Sequence, residues 1–119
     1  GKPIAIKGSG TDLRSDCYVS DAIEACFRII LAGREGEAYN VGSDLEEYTI
    51  KEMAAMLHQI CGIQEPPTCS AGSQPAYIKS APRRFCPDIS KLKKELDYKP
   101  KIKIRAGLAR TVEWNLWSK

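Results

Sequence analysis

The sequence predicts an α/β fold with more helix than sheet, built from three or four helices and a few short strands. Three observations carry this: several stretches repeat apolar residues at helical spacing, short β-leaning runs lie between glycines, and a capping box precedes the strongest apolar stripe. At 119 residues the chain is the size of one small domain, 1–119, with a single core. No apolar run approaches the roughly 18 residues a bilayer span needs, which excludes an α-helical membrane protein.

"PIAIK", residues 3–7, is β-leaning, and "GSGTDL" after it has the composition of a turn. Ser20 as N-cap and Asp21 as first-turn acid then open a helix over about 21–32. Its inner face is expected to be Ile23, Cys26, Phe27 and Ile30, and Gly33 stands where it should end. The short apolar run Ala38, Tyr39 and Val41 predicts a strand over 37–41. Thr49 with Glu52 three residues on is a capping box, and Gly62 closes the helix whose stripe is Ile50, Met53, Ala54, Leu57, Ile60 and Cys61. Residues 63–76 form a polar loop rich in proline and glycine. Asp88 is placed to cap a short helix with Ile89, Leu92 and Leu96 inside. A last helix over about 105–117 follows from the spacing of Ile104, Leu108, Val112 and Leu116, with Trp114 and Trp117 beside them.

A net charge of +3, with both signs intermixed, is too weak a bias to imply nucleic acid. The local exception is "APRRFCPDISKLKKELDYKPKIKIR", either a solvated helical face or a polyanion contact. The five cysteines (Cys17, Cys26, Cys61, Cys69 and Cys86) are odd in number and contain no CxxC pair, so a reducing cytoplasm is expected and a disulfide framework is not. Cys26 and Cys61 fall on apolar helix faces, where a thiol acts as a small hydrophobe. His58 and Cys61 are only two of the four ligands a structural zinc takes, so no metal is expected.

The usual catalytic signatures are missing: no GxSxG, no GxxxxGK, no HExxH, and neither "GSG" nor "GREG" extends to GxGxxG. What remains is a set of cationic and amide groups beside turns: Arg14, Asn40, Arg83 and Arg84. Guanidinium groups fork onto phosphate oxygens and an asparagine amide can donate to the same oxygens, so Arg14, Asn40 and an arginine at 83–84 suit a diphosphate; surface ion pairs suit them too.

Four stretches in order, "PIAIKGSGTDLRSDCYVSDAIEA", "GEAYNVGSDLEEYTIKEMA", "RRFCPDISKLKKELDYKPKI" and "GLARTVEW", resemble the C-terminal part of the extended short-chain dehydrogenase/reductases that act on nucleotide sugars. The resemblance spans nearly the whole chain. It implies a helix-rich, substrate-binding lobe in which Arg14, Asn40 and Arg84 hold the diphosphate of a nucleotide-diphosphate sugar. It also implies NAD in the parent enzyme and a separate N-terminal Rossmann domain, and no catalytic, cofactor or metal residue in this chain. Asp21 and Asp88 are then helix caps, and Tyr18, Tyr39 and Trp114 packing residues. Two departures stand out. Lys7 occupies a position where the family often has an aromatic residue near the nucleotide base. The family's glycine-rich NAD loop and YxxxK are absent, Tyr48 and Lys51 being one residue too close.

The chain, beginning at a glycine, is therefore expected to be a piece of an epimerase, dehydratase or decarboxylase, not catalytic alone. Its exposed apolar surface would leave self-association into a homo-oligomer open. A stand-alone nucleotide-sugar module and a basic interaction domain are the competing readings.

Overall fold

The computed structural model describes residues 2–70 and 82–117. In chain order the elements are β1 (Ala5–Lys7), β2 (Leu13–Arg14), α1 (Val19–Ala32), β3 (Tyr48–Thr49), α2 (Ile50–Cys61), β4 (Thr68–Ser70), β5 (Arg84–Phe85), α3 (Ser90–Leu96) and α4 (Ile104–Trp117). The mixed α/β class holds. No helix among the described residues is long and apolar enough to cross a membrane. The contacts divide the chain into two compact units. The first comprises Gly1–Arg14, Tyr48–Phe85 and Arg105–Lys119, the second Ser15–Glu47 and Cys86–Ile104.

In the first unit β1 pairs in parallel with β4, while β2 is the central strand of the order β3-β2-β5. The turn between β1 and β2 uses Gly8 and Gly10 at φ 106° and 70°, where a side chain would be strained. Gly10 also sits close against Lys51, whose N–H donates to its carbonyl at 3.0 Å. The α2 capping box forms as expected: Thr49 Oγ1 accepts from Glu52 N–H at 3.1 Å, and the Glu52 carboxylate accepts from Thr49 N–H at 2.7 Å. Gly62 ends the helix in the left-handed region.

His58, on the buried face of α2, accepts from Ile4 N–H through Nε2 at 2.9 Å. Nδ1 must then carry the ring proton, and it donates to the Glu65 carbonyl at 2.6 Å. One imidazole thereby fastens the approaches to both β1 and β4. The loop expected over 63–76 contains β4, a strand of three exposed residues too short for a period to show; residues 71–76 lie outside the described residues. Trp114 and Trp117 are exposed, so the packing role expected of Trp114 is not observed.

The second unit is built on Ala25, Ile89, Leu92, Leu96 and Tyr98, with Ile29, Tyr39 and Val41 packed against them. The Tyr98 hydroxyl donates to the Gly42 carbonyl at 3.0 Å. Burial pushes that phenol well above its usual range, keeping it a donor. Gly42 has no room for a side chain against Pro87.

Helix α1 is where expected, but its inner face is not. Asp21 and Ala25 are buried, whereas Ile23, Cys26, Phe27 and Ile30 are exposed. Tyr18, not Ser20, is the N-cap, and Asp21 caps nothing. Its carboxylate is buried and accepts from the N–H groups of Lys101 and Ile102, at 2.8 Å each. Residues 37–41 form no strand, because side chains take the place of a ladder. Lys91 Nζ donates to the Ala38 carbonyl at 2.9 Å and Asn40 Nδ2 to that of Asp88 at 3.0 Å. Asp88 does serve the start of α3, accepting from Ser90 N–H at 2.9 Å, although the N-cap itself falls on Ile89. All five cysteines are free, with Cys26 and Cys61 exposed rather than sheltered on inner faces.

Several carboxyls sit below their ordinary range because cations or N–H groups face them: Glu24 from Lys101 and Arg28, Glu37 from Lys91, Glu52 and Asp88 from the Thr49 and Ser90 N–H groups, Asp97 from Lys99. A carboxyl lowered on folding contributes stability that is complete above its unfolded value and lost as the pH falls through the folded one. Thermal stability is therefore expected to hold down to about pH 5 and to decline below about pH 4. Melting curves between pH 7 and pH 3 check this; a midpoint that stays level throughout contradicts it.

Candidate functional site

Arg14 projects from β2, flanked by β3 and β5. Its Nη1 donates to the carbonyls of Leu13 at 2.7 Å and Pro82 at 3.3 Å, and its Nη2 lies 3.8 Å from the Asp12 carboxylate. The strand thus delivers the guanidinium, and two carbonyls hold one of its edges.

Arg84 is exposed on β5, the edge strand. The parallel register pairs Leu13 with Arg84 and Arg14 with Phe85. Paired residues share a face and successive ones alternate, so the two arginines start as diagonal neighbours on opposite faces of the β2–β5 ladder. Convergence on one anion requires the Arg84 stem to reach round the β5 edge of the described strands. Asn40 belongs to the second unit, where its amide holds the Asp88 carbonyl and so the entry to α3. Lys7 is the exposed last residue of β1.

The lysine-rich stretch late in the chain is largely neutralised. Lys91 pairs with Glu37 and Lys93 with Asp44, both at 2.6 Å, Lys101 with Glu24 at 2.7 Å, and Lys103 with Glu46 at 3.4 Å. Lys91 also lies over the Tyr39 ring, 4.4 Å from its centroid. Among the described residues the first unit holds eight lysines and arginines against four acids, the second eight against eleven. The net basic character therefore belongs to the unit carrying Arg14 and Arg84. Counting charge along the linear sequence points instead to the paired run. Asp12 was also missed; its position two residues before Arg14, across one strand repeat, was the available signal.

Residues 1–42 match the NAD dependent epimerase/dehydratase family. The fold matches a UDP-glucuronic acid 4-epimerase from Bacillus cereus in complex with UDP-glucuronic acid and NAD, at a TM-score of 0.81 and 27% identity over 99% of this chain and 36% of that one. It also matches a UDP-glucose 4-epimerase with UDP-glucose from Thermotoga maritima, at 0.84 and 26% over 98% and 36%. These likenesses define a class: the chain is similar to NAD-dependent nucleotide-sugar epimerases and dehydratases of the extended short-chain dehydrogenase/reductases, and has the fold of their C-terminal lobe. In sequence it is similar to the dTDP-glucose 4,6-dehydratase of Xanthomonas campestris pv. campestris, 35% identical over 124 residues that cover 98% of this chain and 34% of that protein. The chain spans about a third of the length of the relatives it matches.

Proposed function

We propose that this chain is the substrate-binding lobe, residues 1–119, of a cytoplasmic, NAD-dependent nucleotide-sugar epimerase or dehydratase. The observation that carries the reading is the placement of Arg14 and Arg84, one register position apart, on adjacent strands of the cation-rich unit. Guanidinium groups suit the diphosphate of a nucleotide sugar, and fixing it would orient the sugar for reaction. Asn40 enters by the family resemblance, its amide having a second N–H beyond the one given to Asp88.

The residues present do not fit NAD. A dinucleotide needs a glycine-rich loop at a helix N-terminus, and the chain has neither that loop nor a YxxxK. In this reading the cofactor and the proton-transferring tyrosine belong to a Rossmann domain of the parent enzyme, and the lobe positions substrate without reacting. An apolar stripe on α1, formed by Val19, Ile23, Phe27, Ile30 and Leu31, is exposed and suits contact with the rest of such an enzyme.

Titration with UDP-glucose and dTDP-glucose, followed residue by residue by NMR, tests the reading. Perturbations are expected at Arg14 and Arg84, and Arg14→Ala is expected to weaken binding at least about ten-fold, the worth of a charge-assisted hydrogen bond. Unchanged affinity in Arg14→Ala, or perturbations confined to residues remote from both arginines, would overturn it.

A further inference from the structure

Arginine offers five N–H donors along its planar fork. In Arg14 both hydrogens of Nη1 have carbonyl partners, Leu13 at 2.7 Å and Pro82 at 3.3 Å. The edge turned away from these carbonyls is Nε with Nη2, and a forked oxyanion would take two parallel bonds there. The Asp12 carboxylate lies 3.8 Å from Nη2, one of the two nitrogens of that edge, with both side chains partly sheltered at 24% and 32% exposure. An anion on Arg14 therefore sits within a few ångströms of a fixed negative charge. That distance is shorter than the roughly 8 Å screening length at physiological salt, so the repulsion is felt.

We infer that Asp12 is a specificity-determining residue, which shifts the preference of the Arg14 site away from a free nucleoside diphosphate and toward the diphosphate diester of a nucleotide sugar. This rests on the function proposed above. In the diester each phosphorus carries one negative charge. A free nucleoside diphosphate ends in a monoester whose second ionisation, near pH 6, adds almost a full further charge at neutral pH. Arg14 attracts both ligands, and Asp12 opposes the more highly charged one more strongly. The effect is to reduce the advantage that its extra charge gives the free nucleotide at Arg14. Asp12 acts through charge, not as a structural strut: its only described backbone role, accepting from Ile50 N–H through its carbonyl at 3.2 Å, does not depend on the side chain.

The test compares UDP-glucose and UDP on the full chain by NMR titration or calorimetry at pH 7.5 and low salt, for wild type, Asp12→Asn, Asp12→Glu and Arg14→Ala. Asp12→Asn is expected to tighten UDP about three- to ten-fold more than UDP-glucose, the gap closing in about 1 M salt as screening shortens. Asp12→Glu, which keeps the charge, should resemble wild type. A merely structural residue would move both ligands together and leave their ratio unchanged. Binding that depends on Arg14 with the same ratio in Asp12→Asn as in wild type overturns the role of Asp12 alone. Wild type and Asp12→Asn both failing to bind either ligand, or Arg14→Ala binding as wild type does, overturns the substrate-binding reading and this inference with it.

Discussion

Replacing Asp21 with alanine is expected to lower the stability of the chain by about 2–4 kcal/mol, out of proportion to the loss of one carboxylate from a helix's first turn. The carboxylate is buried and accepts from two consecutive backbone N–H groups, those of Lys101 and Ile102. Alanine would strand both donors in a place water reaches poorly, and an unsatisfied buried donor forfeits its hydration as well as its bond. Asparagine keeps an acceptor oxygen but not its charge, so Asp21→Asn should cost less, about 1–2 kcal/mol. Urea denaturation of the three proteins measures the series. Equal losses for Ala and Asn would show that the acceptor is unimportant, contrary to the geometry.

Leu92→Ala is expected to be at least as damaging, at about 3–5 kcal/mol, because Leu92 is fully buried among Ala25, Ile89, Leu96 and Tyr98. A core this small has few neighbours able to collapse into the vacated space. The matched control is Leu31→Ala on α1: Leu31 is 81% exposed, so its truncation should change stability by no more than about 0.5 kcal/mol. Two leucines in helices thus differ several-fold in cost. A Leu92→Ala protein within about 1 kcal/mol of wild type would mean that this cluster does not hold the unit together.

The contrast between these leucines shows what was legible in the sequence. Helical periodicity located α1, α3 and α4 to within about two residues, and the capping box at Thr49 with Gly62 bounded α2, because both signals are local. The buried side of α1 was not legible. Its apolar stripe at Ile23, Phe27 and Ile30 marks a surface that covering would stabilise, yet the chain's own core uses Ala25 and Ile29 instead. The two-residue strands β2, β3 and β5 are shorter than one full alternation and exist through pairing with distant residues, Leu13 with both Thr49 and Arg84. At the proposed site, residue types picked out Arg14, Asn40 and an arginine at 83–84, and the family resemblance chose Arg84. Their alternating faces depended on register, and the importance of Asp12 on where the Arg14 side chain turned.

The imidazole of His58 also bears on the order in which the first unit assembles. Its bond to Ile4 joins positions 54 apart, so the loop it closes costs chain entropy that no neighbouring contact along the sequence offsets. Helix α2, with its own local cap, can form before that closure; β1 has three residues and a partner strand far along the chain. The folded helix thus presents a ready acceptor to the segment that enters β1, and the amide hydrogen of Ile4, just ahead of that strand, is expected to exchange with solvent at a rate governed by the integrity of α2.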